Sequence, residues 1–146
     1  MVRPVVAILL LWTLLALPAS AEELSVIEAE TDPAMKDALN NWHAEMVECA
    51  AYYAYTQEAY NRWDDSEGEQ NARKTFETLI MRAYALHRLE TTDAHYWLAL
   101  DAIGKEFYND YTNFSIVLAK YGRLCKTVVE NGDSRLQHWL GEASKN

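Results

Sequence analysis

The chain has 146 residues, a formal charge of −9 at pH 7 and 50% hydrophobic residues. That length holds one ordinary domain and leaves no room for two linked globular domains or for a doubly wound dinucleotide fold beside anything else. An acidic chain with no basic run is a poor match for nucleic acid or an anionic membrane surface.

The N-terminus reads as a secretory leader over residues 1–21. Met1 to Pro4 carries one positive charge at Arg3, and Val5 to Leu17 is apolar apart from Thr13. Pro18 ends the run, and Ala19-Ser20-Ala21 is a small-x-small cleavage signature before Glu22. The run is shorter than the ~20 residues that cross a hydrocarbon core, which favours a cleaved leader over an anchor. The expected compartment is periplasmic or extracellular. There the two cysteines, Cys49 and Cys125, should pair with each other. Residues 22–31 are acidic and aperiodic, and read as a flexible arm before a single domain over 32–146.

Asp32-Pro33 is a helix start, with Asp as N-cap and Pro in the first turn, where its missing N–H costs nothing. Leu39, Trp42, Met46, Cys49, Tyr53, Thr56, Tyr60 and Trp63 then recur at spacings of 3 and 4, one face of a long helix. Asp64-Asp65-Ser66 breaks the pattern, and Ser66 with Glu69 forms a capping box for the next helix. Ala72, Phe76, Leu79, Ala83 and Leu86 carry that helix to about Leu89, and Thr91-Thr92-Asp93 reads as the following turn. Trp97, Leu100, Gly104, Phe107 and Tyr111 resume the rhythm, continued by Phe114, Leu118, Tyr121, Cys125 and Val128. Asn131-Gly132 is a helix stop, because glycine accepts a left-handed conformation. Ser134 and Gln137 could cap a last short helix bearing Leu136, Trp139 and Leu140. No stretch alternates with period 2, so the fold class is all-α.

Residues 93–130 could form one helix or two. The unbroken rhythm favours one, whereas Tyr108 to Ser115 is a run of weak helix formers. The cysteines arbitrate. At 1.5 Å per residue, Cys49 lies ~21 Å below the Trp63 end of the first helix. If the chain turns near Asn109 to Asn113, Cys125 lies ~18 Å below that turn on a neighbouring helix, at nearly the same level. A continuous helix would separate the two cysteines by far more than the ~7 Å that a disulfide tolerates between Cα atoms. The disulfide and the break therefore imply each other. The expected architecture is an up-down-up-down four-helix bundle with a short C-terminal helix. The alternative is three long helices, the last continuous over 93–130.

Motifs for chemistry are missing. No Glu precedes any of His43, His87, His95 or His138 by three residues, as a di-iron bundle requires. Cys-x-x-Cys-His, His-Glu-x-x-His, Gly-x-Ser-x-Gly and a Gly-rich phosphate loop are absent, and the acids before Gly68 do not fall in a calcium-loop register. One cofactor pattern is available: Met35, low on the first helix, and His138, near the end, could ligate haem b. Ordinary first-turn packing of Met35 and a solvated His138 account for both residues, and no cofactor is expected. Nine tyrosines are the unusual feature. Tyr53, Tyr60, Tyr111 and Tyr121 fall on core stripes, whereas Tyr52 and Tyr55 fall off them and become candidates for an interface. The expected function is a non-catalytic binding, adaptor or inhibitor-like module with a protein partner in the export compartment. A carrier of haem b or another small ligand is the alternative.

Overall fold

The structure, a computed structural model, describes residues 32–87 and 89–145. The expected leader over 1–21 and the expected acidic arm over 22–31 lie outside the described residues. Among the described residues, five helices make an all-α bundle: α1 (Pro33–Arg62), α2 (Ser66–Leu86), α3 (Leu89–Glu106), α4 (Ser115–Glu130) and α5 (Gly132–Ala143), with one 3-10 turn over Tyr111–Asn113. No described helix is long and apolar enough to cross a membrane.

α1 is the axis of the bundle and packs against each of the other four helices, most extensively against α2. Its start is as the sequence reads: the Asp32 carboxylate accepts the Ala34 N–H at 2.9 Å, and Pro33 opens the helix. Its buried surface is wider than one stripe. Ala38, Ala50, Ala51 and Ala59 are fully buried beside Met46, Val47, Cys49, Tyr52 and Thr56. Small side chains let neighbouring helices approach the axis, while Leu39, Trp42, Tyr53 and Tyr60 sit half-buried at the rim. Trp63, placed last on the stripe, is 52% exposed.

The α1–α2 turn uses Asp64 with φ 56°, in the left-handed region, and Asp65 is the cap. Its carboxylate accepts the Gly68 N–H at 2.9 Å, so Ser66 is the first residue of α2 and not its N-cap. The next turn also moves. α2 ends at Leu86, His87 is extended, and α3 has begun by Leu89. Thr91, Thr92 and Asp93 lie inside α3. Their polar groups serve tertiary contacts there: Thr92 Oγ1 is 3.0 Å from His43 Nε2, and Asp93 accepts the Tyr84 hydroxyl at 2.5 Å.

The break in 93–130 is real, and the continuous-helix alternative is overturned. α3 ends at Glu106; Tyr108 and Asn109 adopt φ of 57° and 53°, and the Asn109 N–H donates to the Gly104 carbonyl at 2.8 Å. Asp110 then accepts the Thr112 N–H at 3.0 Å. Phe107 and Phe114, both buried, pin the reversal with ring centroids 5.6 Å apart. α4 returns beside α1, and Cys49 and Cys125 form a disulfide with Cα atoms 5.2 Å apart. At Gly104 a Cβ would come within 2.6 Å of both the Tyr55 hydroxyl and Asn109 Oδ1, so a larger residue would have to push aside one of those side-chain ends. At the α4–α5 junction Asn131 is the break, with φ −136° and ψ 48°. Gly132 opens α5 in ordinary helical conformation, so no left-handed glycine is involved, and Ser134 and Gln137 are interior to α5.

Candidate interaction site

Tyr52 and Tyr55 do not form an open surface. Tyr52 is 5% exposed, in edge contact with Tyr53 (centroids 4.9 Å apart) and stacked toward Tyr121 at 6.2 Å. Tyr55 is half-buried; its hydroxyl donates to the Leu100 carbonyl at 3.1 Å and its ring meets Phe107 edge-on. Burial pushes both phenols above the usual tyrosine range. An off-stripe position on α1 is still an inside position, because helices surround α1 on several sides. Both therefore pack into the core, the Tyr55 hydroxyl finding its partner at the core's edge.

The exposed apolar side chains lie elsewhere. Trp97 and Leu98, adjacent on α3, are each 67% exposed. The sequence stripe placed Trp97 inside. The inward face of α3 instead runs through Thr92, Tyr96, Ile103 and Gly104, one position back from Trp97 at its centre, and leads to Phe107 just past the helix end. Tyr96 takes the inner place against Phe76 at 5.7 Å, and Trp97 packs on the outer side of Tyr96, also at 5.7 Å. The surroundings of Trp97 and Leu98 are charged: Glu90 and Asp101 are exposed on the same helix, and Asp101 pairs with Lys105 at 2.5 Å. Leu89 and Tyr108, at the two ends of α3, are also exposed.

Beneath the first turns of α3 lies a histidine cluster that sequence spacing did not reveal. His43 is 1% exposed, with its ring centroid 4.4 Å from His87 and 5.6 Å from His95. Burial first, then the neighbouring His87 and His95, lower its pKa to about 4. It is therefore neutral at pH 7, and its Nε2 faces the Thr92 hydroxyl. No group of three or more His, Cys, Asp or Glu side chains among the described residues is arranged to hold a metal ion.

A polar network lines the α1–α4–α5 side. Arg135 of α5 forms a two-bond pair with the buried Glu45 of α1. Glu106 accepts from Lys120 and from the Tyr121 hydroxyl, the latter at 2.7 Å. Burial raises the Glu48 carboxyl, opposed by Lys120. These long-range pairs join helices and have no sequence-local signature.

The proposed haem ligands are ordinary surface and edge residues. Met35 is half-buried in the first turn of α1; His138 is exposed on α5 and packs edge-on to Trp139 at 5.2 Å. Neither lines the grooves at α1–α2–α5 or α4–α5. Set beside family models, curated proteins and solved structures, the chain matches none.

Proposed function

We propose that the chain is an exported, non-catalytic binding module that engages a cationic protein partner through the outer face of α3. The observation that carries this reading is the pair Trp97 and Leu98, each two-thirds exposed on a helix whose opposite side is anchored in the core. Large exposed side chains on a rigid element lose little entropy on binding, and tryptophan is enriched among residues that dominate interface energy. The chain's charge of −9, with the exposed Glu90 on the same helix, favours a basic partner surface and fast encounter with it. The Cys49–Cys125 bond suits an oxidising compartment, as expected for a periplasmic or secreted protein.

The test is binding by the purified, disulfide-intact protein. A single stoichiometric partner should be retained from an extract of the export compartment and purified. Calorimetry with that partner should give an affinity at least tenfold weaker for Trp97→Ala. Binding should also weaken as salt rises. Equal affinity of the Trp97→Ala protein would place the interface elsewhere. Self-association through this face, seen as a dimer by sedimentation and lost in Trp97→Ala, would assign the face to a second copy and not to a basic partner.

A further inference from the structure

In a chain of charge −9, α4 is the cationic element. Lys120, Arg123 and Lys126 are exposed on it, and its one acid, Glu130, stands at its end, 3.9 Å from Lys126. A groove of about 510 Å³ runs between α4 and α5, lined by Ala119, Lys120, Arg123, Leu124, Thr127 and Arg135. None of these lining residues is acidic. The balancing carboxylates, Glu45 and Glu106 with Glu48 close to Lys120, belong to helices behind them. Glu45 of α1 holds the Nε and one Nη of Arg135, and Glu106 of α3 holds Lys120. Two cations are thus fixed in place with donors to spare: Arg135 keeps its second Nη, and Lys120 has three N–H donors in all. Arg123 has no carboxylate within ion-pair distance among the described residues.

We propose that this groove binds an oxyanion of the phosphate class, with Arg123 as its main charge partner and Arg135 and Lys120 as fixed flanking donors. The free guanidinium fork of Arg123, with the donors that Glu45 and Glu106 leave unused on Arg135 and Lys120, comes from two helices and matches the several acceptor oxygens of a phosphate. The apolar side chains of Ala119 and Leu124 in the same groove suit an organic body attached to that phosphate. This site is separate from the α3 face, and either can fail without the other.

The experiment is an amide and indole NMR titration of the disulfide-intact protein at pH 7 and constant ionic strength. The probes are inorganic phosphate, phenyl phosphate, acetate and chloride. Phosphate should produce saturable one-to-one shifts at Arg123, Thr127 and Arg135. It should also shift the Trp139 indole, whose ring lies 5.9 Å from the Arg135 guanidinium. Phenyl phosphate should bind tighter than phosphate. Arg123→Gln should weaken phosphate at least tenfold, with its spectrum otherwise native, while Lys74→Gln on α2 should leave it unchanged. Linear shifts matched by chloride would reduce the effect to screening and overturn the site. So would equal binding of acetate, or phosphate binding that survives Arg123→Gln.

Discussion

Acid should unfold this protein through His43. Its side chain is buried and neutral, with a folded-state pKa of about 4 against 6.5 for the free residue. Between those values the unfolded chain binds a proton that the folded chain refuses, so stability falls as pH drops from above 6.5 toward 4. Across the full window the loss is about 3 kcal/mol, and about 2 kcal/mol of it falls between pH 7 and pH 5. The buried ring has no room to hydrate a positive charge: it is packed against His87, His95 and the Thr92 hydroxyl. Glu48 acts in the opposite sense, since its raised pKa means that the folded state takes up its proton sooner as pH falls. Urea unfolding followed by tryptophan fluorescence at pH 7, 6 and 5 isolates the histidine. His43→Gln keeps a polar group toward Thr92 and removes the titration. The native protein should lose about 2 kcal/mol from pH 7 to pH 5, and the variant markedly less. Parallel pH slopes for the two proteins would refute the reasoning.

The disulfide closes a chain separation of 76 residues, for which loop entropy gives about 4 kcal/mol. Cys49→Ser or Cys125→Ser should lower the melting temperature by more than 10 °C on the order-of-magnitude scaling for this size, with the double variant little worse than either single one. Gly104→Ala should destabilise the α3–α4 corner by about 2 kcal/mol in chemical denaturation, because its methyl displaces the Tyr55 hydroxyl or the Asn109 amide. Pairing Gly104→Ala with Tyr55→Phe should recover part of that loss. Glu45→Ala strands the Arg135 guanidinium, whose side chain is only 19% exposed, and should cost about 3 kcal/mol, whereas Glu142→Ala, which frees the exposed Lys145, should leave the unfolding midpoint nearly unchanged by the same assay.

The fold was legible in the sequence where a local signal met a long-range constraint. Asp32-Pro33 marks the start of α1, and the shared axial level of Cys49 and Cys125 resolves the break near Asn109 that periodicity alone ran through. What misled was the weight given to bulky residues. α1 buries alanines along its axis, because a central helix is contacted from several sides and its core face is no single stripe, and Trp63 is exposed as the C-cap beyond the last helical residue. The same bias put Trp97 inside and Tyr52 outside, each the reverse of its place. Polar clusters misled differently. Thr92 and Asp93 look like a turn, yet their partners, His43 and Tyr84, sit on other helices. The His43 cluster, the Glu45–Arg135 pair and the α4–α5 groove join residues up to 90 positions apart, so no motif could announce them.

The α3 face is tested most directly by a photo-crosslinking residue placed at position 97, with the same residue at Met81 of α2 as an equally exposed control. In the native export compartment, irradiation should join position 97 to one basic protein in high yield and position 81 to none, and the adduct should fall away when Leu98 is changed to Asp. Equal labelling from both positions, or an adduct indifferent to Leu98→Asp, would contradict a binding surface centred on Trp97 and Leu98.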